Sequence, residues 1–311
     1  GAGFSDDRID PAVDLAERGN VDYLVFECLA ERTIARENLT RLKDPEKGYT
    51  PYLAERFQAV LSACVRNNIR IVTNMGAANP AGAARAVRRE AKALGIADLP
   101  VAYVTGDDVA EIVRNNPQLP LMEDGSPVEA LIPRMASANV YLGADVIRDG
   151  LATGAPVVMT GRVADPALFL GSMMHGLGWS YNDYPKLAVG TLAGHMMECA
   201  AQLTGGCFVD PGRKDCDDPV TPGFPYADVT VEGGLTLGKT NTPELGSGSQ
   251  TFNEVFGVTR NPWNTALSAS GSSGGAAVAL ATGMLPEVPE GGVAPGVLDK
   301  PSVVNNPPCV F

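Results

Sequence analysis

Between residues 20 and 205, short apolar runs alternate with longer stretches of helical spacing, and this alternation most narrows the folds open to the chain. Tyr23–Leu29, Ile69–Thr73, Pro100–Thr105 and Pro156–Thr160 read as strands whose apolar residues run nearly continuously rather than at every second position. Apolar residues at 53, 57, 60, 61 and 64 predict a helix over Leu53–Arg66. Further helices are expected over Pro80–Leu94, with Gly95 as its stop, and over Asp107–Asn115, Ala144–Ala152, Pro166–His175 and Pro185–Leu203. Continuously apolar strands alternating with helices imply an α/β fold, a mostly parallel sheet with helices on both faces. In such sheets ligands bind beyond the carboxyl ends of the strands. Those ends carry polar or Gly-rich loops: ECLAERT (27–33), TNMGAANP (73–80), TGDD (105–108) and TGRVAD (160–165).

Composition narrows the function. The chain has 311 residues, 45% hydrophobic and 19% charged, enough for one large or two ordinary domains. A net charge of −12 repels nucleic-acid phosphates and anionic membrane surfaces, so neither is an expected partner. No apolar run approaches the ~20 residues of a bilayer span, and no signal peptide is visible. Six cysteines stand at irregular spacings without a CxxC pair or zinc-ligand pattern, so no metal site is assigned. Cys28 and Cys64 fall in apolar patterns and read as buried free thiols, which fits a reducing cytoplasm. The chain opens GAGFSDD without a methionine, so its true start is expected to precede this point. Residues 210–228 are rich in Asp, Pro and Gly, and the Pro-rich stretch after 285 is expected to be an irregular or disordered tail.

Several residue sets invite chemistry. His195 and Glu198 stand at i, i+3 on an expected helix and share a face. The pair could transfer protons or bind a metal, or it could be a histidine hydrogen-bonded to its own helix's carboxylate. Glu27 sits in an apolar strand, so it is either paired with Arg32 or Arg162 or functional; Glu31 lies on the other side of the same strand end. Arg162, just past Thr160-Gly161, could clamp a carboxylate or phosphate. Asn74, Gly76 and Asn79 form a loop before a helix that suits anionic groups. Asp107 and Asp108 read as helix caps or cation ligands, and Asp165, before Pro166, as an N-cap.

Read together, GAGFSDDRID, YLVFECLAERT, IVTNMGAANP, VTGDD, VVMTGRVAD and LAVGTLAGHMMECAAQLTGG resemble the acyclic terpene utilisation family, in its usual block order and over about three quarters of the chain. The resemblance implies a setting in bacterial catabolism of citronellol- and geraniol-type terpenes through CoA thioesters. CoA then belongs to the substrate, and no other cofactor is expected. Family members continue past GFPYADV into a longer shared part, whereas this chain switches near residues 230–236.

The switch leads into GKTNTPELGSGSQTFNEVFGVTRNPWNTALSASGSSGGAAVALATGM (238–284), which resembles the amidase signature family. That family cleaves amides with a Ser–cis-Ser–Lys triad. Ser272 falls on its cis-serine, with Ser273 beside it, but Ala269 and Ser270 replace its usual Pro and Gly. The nucleophile block is absent after Gly283-Met284, and nothing upstream matches the catalytic lysine; Lys239 does not lie at its position. A cis-serine without its nucleophile has nothing to deprotonate.

The organisation expected is an α/β domain over 1–232, a truncated amidase-like segment over 233–285 and a tail over 286–311. The function expected is acid–base chemistry by Glu27, His195 and Glu198 on a branched or terpenoid acyl thioester, as in a lyase or hydratase of acyl-CoA catabolism. Asn74, Gly76, Asn79 and Arg162 would hold its anionic groups. A serine hydrolase and a non-catalytic subunit or scaffold of an acyl-CoA-processing complex are the alternatives. A homo-oligomer or an acyl-CoA enzyme is the partner expected.

Overall fold

In the computed structural model, residues 7–200, 223–233, 252–253, 257–269 and 278 are described. The chain divides into two units, Gly1–Tyr226 with Pro308–Phe311, and Ala227–Pro307.

The first unit runs α1 (Asp10–Arg18), β1 (Tyr23–Phe26), α2 (Glu31–Lys43), α3 (Leu53–Arg66), β2 (Arg70–Thr73), α4 (Pro80–Ala93), β3 (Val101–Tyr103), α5 (Ala110–Asn115), α6 (Asp145–Ala152), β4 (Val157–Met159), α7 (Ala167–Leu177) and α8 (Tyr184–Glu198). The strands form one parallel sheet in the order β1-β2-β4-β3. The fold is therefore the α/β class that the apolar runs predict. Strands are shorter than their apolar patterns at one or both ends; Glu27, Cys28 and Leu29 lie beyond β1 although all three are buried, and β2 starts one residue late at Arg70. Gly95, at φ +78°, closes α4 as expected of a helix stop.

Two helices were not predicted. In α1, Pro11 in the first turn, Arg18 in the last and buried Ala12 and Ala16 supply start, stop and core face. In α2 only Ile34, Glu37 and Asn38 are buried, so there is no apolar stripe to find. The Thr33 hydroxyl starts α2 by accepting from the Ala30 N–H at 2.7 Å.

Strand order dictates where the helices go. From β1 to β2 and on across β4 to β3 the chain moves one way, and it then reverses to reach β4. Right-handed crossovers place helices from the two directions on opposite faces. Accordingly α1, α3 and α4 share one core with Phe26, Ile71 and Met159, while Ile147 and Leu151 of α6 and Ala167 and Leu168 of α7 pack with Val72 and Val158 on the other. The helices leaving neighbouring β2 and β4, α4 and α7, thus diverge to opposite faces. The carboxyl ends of the strands beside that divergence are the point where ligands bind in such sheets.

Near the amino end of the sheet, His175 of α7 is held between Tyr23 and Arg70. The Tyr23 hydroxyl lies 2.8 Å from His175 Nδ1, and Arg70 Nη1 lies 3.2 Å from Nε2. A guanidinium only donates, so Nε2 is the acceptor and the ring is the neutral Nδ1–H tautomer. Burial, and then the charge of Arg70, hold the His175 pKa below its usual value. The folded state therefore binds fewer protons here than the unfolded chain, whose histidine titrates near ~6.5. This stability is complete above that pH and lost as pH falls below it. Urea midpoints compared between wild type and His175→Gln are expected to diverge at pH 7.5 and converge towards pH 5. The difference removes the carboxylates common to both proteins.

In the second unit, β5 (Phe252–Asn253) and β6 (Gly257–Val258) pair antiparallel. The Asn261 side chain accepts from the Trp263 and Asn264 N–H groups at 2.9 and 3.2 Å, forming a turn. Ser272, Ser273 and the stretch after 285 lie outside the described residues.

Candidate functional site

Register sets the site. Phe26 pairs with Thr73, Thr73 with Met159, and Met159 with Tyr103, so the strands end level. The next residues, Glu27, Asn74 and Thr160, therefore emerge side by side from the three adjacent strands β1, β2 and β4. The Thr73 hydroxyl donates to the Phe26 carbonyl at 2.8 Å and the Thr160 N–H to the Thr73 carbonyl at 2.8 Å, extending the lock one residue past the ladder.

Asn74 is fully buried and its orientation is fixed from both ends. Its Oδ1 accepts from the Cys28 N–H at 2.7 Å, and its Nδ2 donates to Glu27 Oε1 at 2.8 Å. The same Glu27 oxygen accepts from the Leu29 N–H at 2.9 Å. Burial raises the Glu27 pKa; the Asn74 and Leu29 bonds oppose the rise, and the charge of Asp165 adds to it. Glu27 is thus an oriented buried carboxyl group whose proton affinity is above the ordinary range.

Arg162 is 2% exposed. It donates to the Leu29 carbonyl, so the single residue Leu29 links it to Glu27. It pairs with Glu31 at 2.9 Å and Asp165 at 3.1 Å, and its guanidinium lies 4.1 Å from the centroid of the Tyr141 ring. Asp165 does not cap α7 as the sequence suggested; Pro166 occupies that position, and the Asp165 carboxylate turns to Arg162.

Asp107 and Asp108, both read as caps, divide the work. Asp108 accepts from the Ala110 N–H at 3.1 Å at the start of α5. Asp107 is buried and accepts from the Arg162 N–H at 2.8 Å and from Asn139 Nδ2 at 3.0 Å. Burial raises its pKa, and the bond from the Arg162 N–H opposes the rise. Asp107 thereby ties the loop after β4 to the irregular stretch between α5 and α6. That stretch crosses the strand ends at 139–142 and carries Tyr141. Excursions of this length are commonly functional, but without periodicity nothing in the sequence placed Asn139 or Tyr141 here.

The loop from Asn74 to Asn79 is packed as well as polar. A Cβ on Gly76 would lie 2.4 Å from the Thr160 carbonyl oxygen, so only glycine allows the β2 and β4 loops to meet. Asn79 caps α4 by accepting from the Gly82 N–H at 3.0 Å and donates to the Pro45 and Lys47 carbonyls. Its amide holds the loop 45–47 against the helix start.

At the end of α8, Glu198 is buried and accepts from the Cys199 thiol at 2.9 Å, whereas His195 is exposed. Gly194 sits against the Pro166 carbonyl, its Cβ position 2.7 Å away, which brings this end of α8 to the residue after Asp165. The Cys199 pKa is pushed up to about 12 by burial, by the bond to Glu198, and by the charges of Glu198, Glu27 and Asp165. One electrostatic neighbourhood therefore contains Glu27, Asp165, Glu198 and Cys199. Among the described residues, no cluster of His, Cys, Asp and Glu has the geometry of a metal site, and no helix is long and apolar enough to cross a membrane. Cys28 and Cys64 are buried free thiols, as predicted.

Comparison with known proteins bears on both parts of the chain. The amidase family profile matches residues 226–287. A 6-aminohexanoate-cyclic-dimer hydrolase of Paenarthrobacter ureafaciens is 47% identical over 76 residues, which are 24% of this chain and 15% of that protein. A glutamyl-tRNA(Gln) amidotransferase subunit of Halothermothrix orenii is 54% identical over 81 residues, 24% of this chain and 17% of that protein. The chain thus spans only 15% to 17% of the length of these curated relatives. No solved structure matches. The profile of the acyclic terpene utilisation family protein AtuA matches residues 1–247, which include every strand of the parallel sheet and every residue of the carboxylate–arginine cluster. The chain belongs to the acyclic terpene utilisation family.

Proposed function

We propose that the first unit is an enzyme of terpene catabolism that performs acid–base chemistry on a branched or terpenoid acyl group carried as a CoA thioester. The observation carrying this reading is Glu27: a buried carboxyl group of raised pKa, oriented by Asn74 and joined through the single residue Leu29 to a buried arginine, at the carboxyl ends of β1, β2 and β4. A carboxylate of raised proton affinity can take a proton from the carbon next to a thioester carbonyl. The electron pair left behind moves onto the carbonyl oxygen as an enolate, which nearby donors stabilise. Arg162 and the 74–79 loop are assigned to hold the anionic groups. Loss of a leaving group from the enolate gives elimination; the reverse sequence gives hydration. Glu198 is assigned as the second carboxyl group. His195, exposed a turn earlier on α8, is assigned to proton exchange with bulk water, in a cytoplasmic setting that suits the free thiols.

The substrate class is tested by thermal shift with isovaleryl-CoA. A ligand at 100 times its Kd stabilises by about 2.7 kcal/mol, so Tm is expected to rise with isovaleryl-CoA and not with CoA alone. Equal shifts with both would remove the acyl group from the reading.

Similarity over 226–287 supports a second reading, a serine hydrolase acting through Ser272. Without the nucleophile block or the lysine the triad cannot operate. A fluorophosphonate probe is expected to leave residues 268–273 unlabelled, and labelling there would favour the hydrolase.

A further inference from the structure

Arg162 is gripped from two sides of very different exposure. Nη1 donates to the Leu29 carbonyl inside the fold, and Nη2 donates to Glu31 Oε1 at 2.9 Å. The side chain of Arg162 is 3% exposed and that of Glu31 is 74% exposed. The Nε of Arg162 is buried and has no hydrogen-bond acceptor. Nε–H and one Nη2–H point the same way and form the edge that grips a carboxylate with two parallel bonds. Glu31 reaches Nη2 with one oxygen only and leaves Nε unmet. The Tyr141 hydroxyl donates to that same oxygen while its ring covers the guanidinium. Asp165 Oδ1, 3.1 Å from Nη2, is buried and makes no hydrogen bond.

We propose that Glu31 is a placeholder: a carboxylate of the protein's own chain that occupies the Arg162 edge until a ligand carboxylate displaces it, with Tyr141 released at the same step. The proposal rests on the reading of Arg162 as the anion anchor and adds the group that competes for it. Charge favours exchange over addition, because a further carboxylate arriving beside Glu31 and Asp165 would place three anions around one guanidinium. Glu31 can leave without stranding a buried charge, since it already faces water and stays at the N-terminus of α2, where a negative charge is favourable. The incoming group could engage both Nε and Nη2, satisfying the donor that Glu31 leaves unpaired. A planar carboxylate is the matching ligand, because the edge already holds one.

Calorimetric titration of the full chain with isovalerate, a small branched carboxylate, tests the exchange. If Glu31 occupies the edge about nine-tenths of the time, its removal raises apparent affinity about tenfold. Glu31→Ala is therefore expected to tighten isovalerate binding by that factor, Tyr141→Phe by less, and Arg162→Lys to abolish it. Should Arg162→Lys fail to fold, ¹⁵N-arginine labelling of the wild type supplies the control, with the Arg162 Nε resonance expected to move on titration. Wild-type binding that depends on Arg162 but is unchanged or weakened in Glu31→Ala would overturn the placeholder while leaving Arg162 as an anion anchor. Absence of binding in both wild type and Glu31→Ala would overturn both.

Discussion

Glu27→Gln is expected to lower turnover of the acyl substrate by about 10²–10⁴-fold, the usual contribution of a positioned general acid or base, without loss of stability. The amide keeps the shape of the side chain and an oxygen that can accept from Asn74 Nδ2 and the Leu29 N–H, the two bonds that orient Glu27. It removes the buried charge, whose desolvation raises the Glu27 pKa. A buried charge carries a desolvation cost that a neutral isostere does not. The discriminating result is therefore a fall in kcat with an unchanged or higher Tm. In the wild type the acidic limb of the pH–kcat profile should lie above the ordinary carboxylate value of ~4.3 and disappear in the variant. A parallel loss of kcat and Tm would instead make Glu27 a structural group. His195→Gln, by contrast, changes an exposed group, and its effect is expected to be several-fold at most.

Gly76→Ala should produce the largest loss of stability from a single methyl group. Its Cβ would sit 2.4 Å from the Thr160 carbonyl oxygen and 2.8 Å from Pro80 Cα, both backbone atoms that cannot swing aside. Overpacking commonly costs 1–3 kcal/mol, and contact with rigid backbone puts this site at about 3 kcal/mol or more. For a unit of this size that corresponds to a Tm lower by about 6–12 °C. Gly223→Ala is the control, since no atom lies within 4 Å of its added Cβ, and it should melt like the wild type. The same methyl group would part the β2 and β4 loops, so binding of isovalerate and isovaleryl-CoA should weaken in Gly76→Ala wherever it still folds.

The sheet was legible because its central strands β2 and β4 are almost wholly buried and rich in β-branched residues, the signature of a parallel sheet covered on both faces, although edge strand β3 leaves Tyr103 exposed. From the sheet came the expectation of a site in the polar loops at the carboxyl ends, where Glu27, Asn74 and Arg162 are joined through the Glu27–Asn74 hydrogen bond and through bonds to Leu29. What pairs with what was not legible. Arg162 was a candidate partner for Glu27, yet it pairs with Glu31 and Asp165, because partner choice depends on loop paths that carry no periodic signal. Asp107 was indistinguishable from its neighbour Asp108 as a cap, and only the return of the chain at Asn139 gives it a buried role. The i, i+3 spacing of His195 and Glu198 suggested a shared face, but α8 buries Glu198 and exposes His195 at its end. A three-residue step turns about 300° around a helix, leaving some 60° between the two side chains. That angle is enough to put one in water and the other against Cys199.

The central claim, that Glu27 exchanges a proton with the carbon beside an acyl carbonyl, is most directly tested by hydrogen exchange. Isovaleryl-CoA incubated with the protein in D₂O and analysed by mass spectrometry should gain deuterium next to the thioester carbonyl. The gain should fall at least a hundredfold in Glu27→Gln, the lower bound of general acid–base catalysis at about 10²-fold. Wild-type exchange no faster than the protein-free control, or equal rates in wild type and variant, would contradict the account.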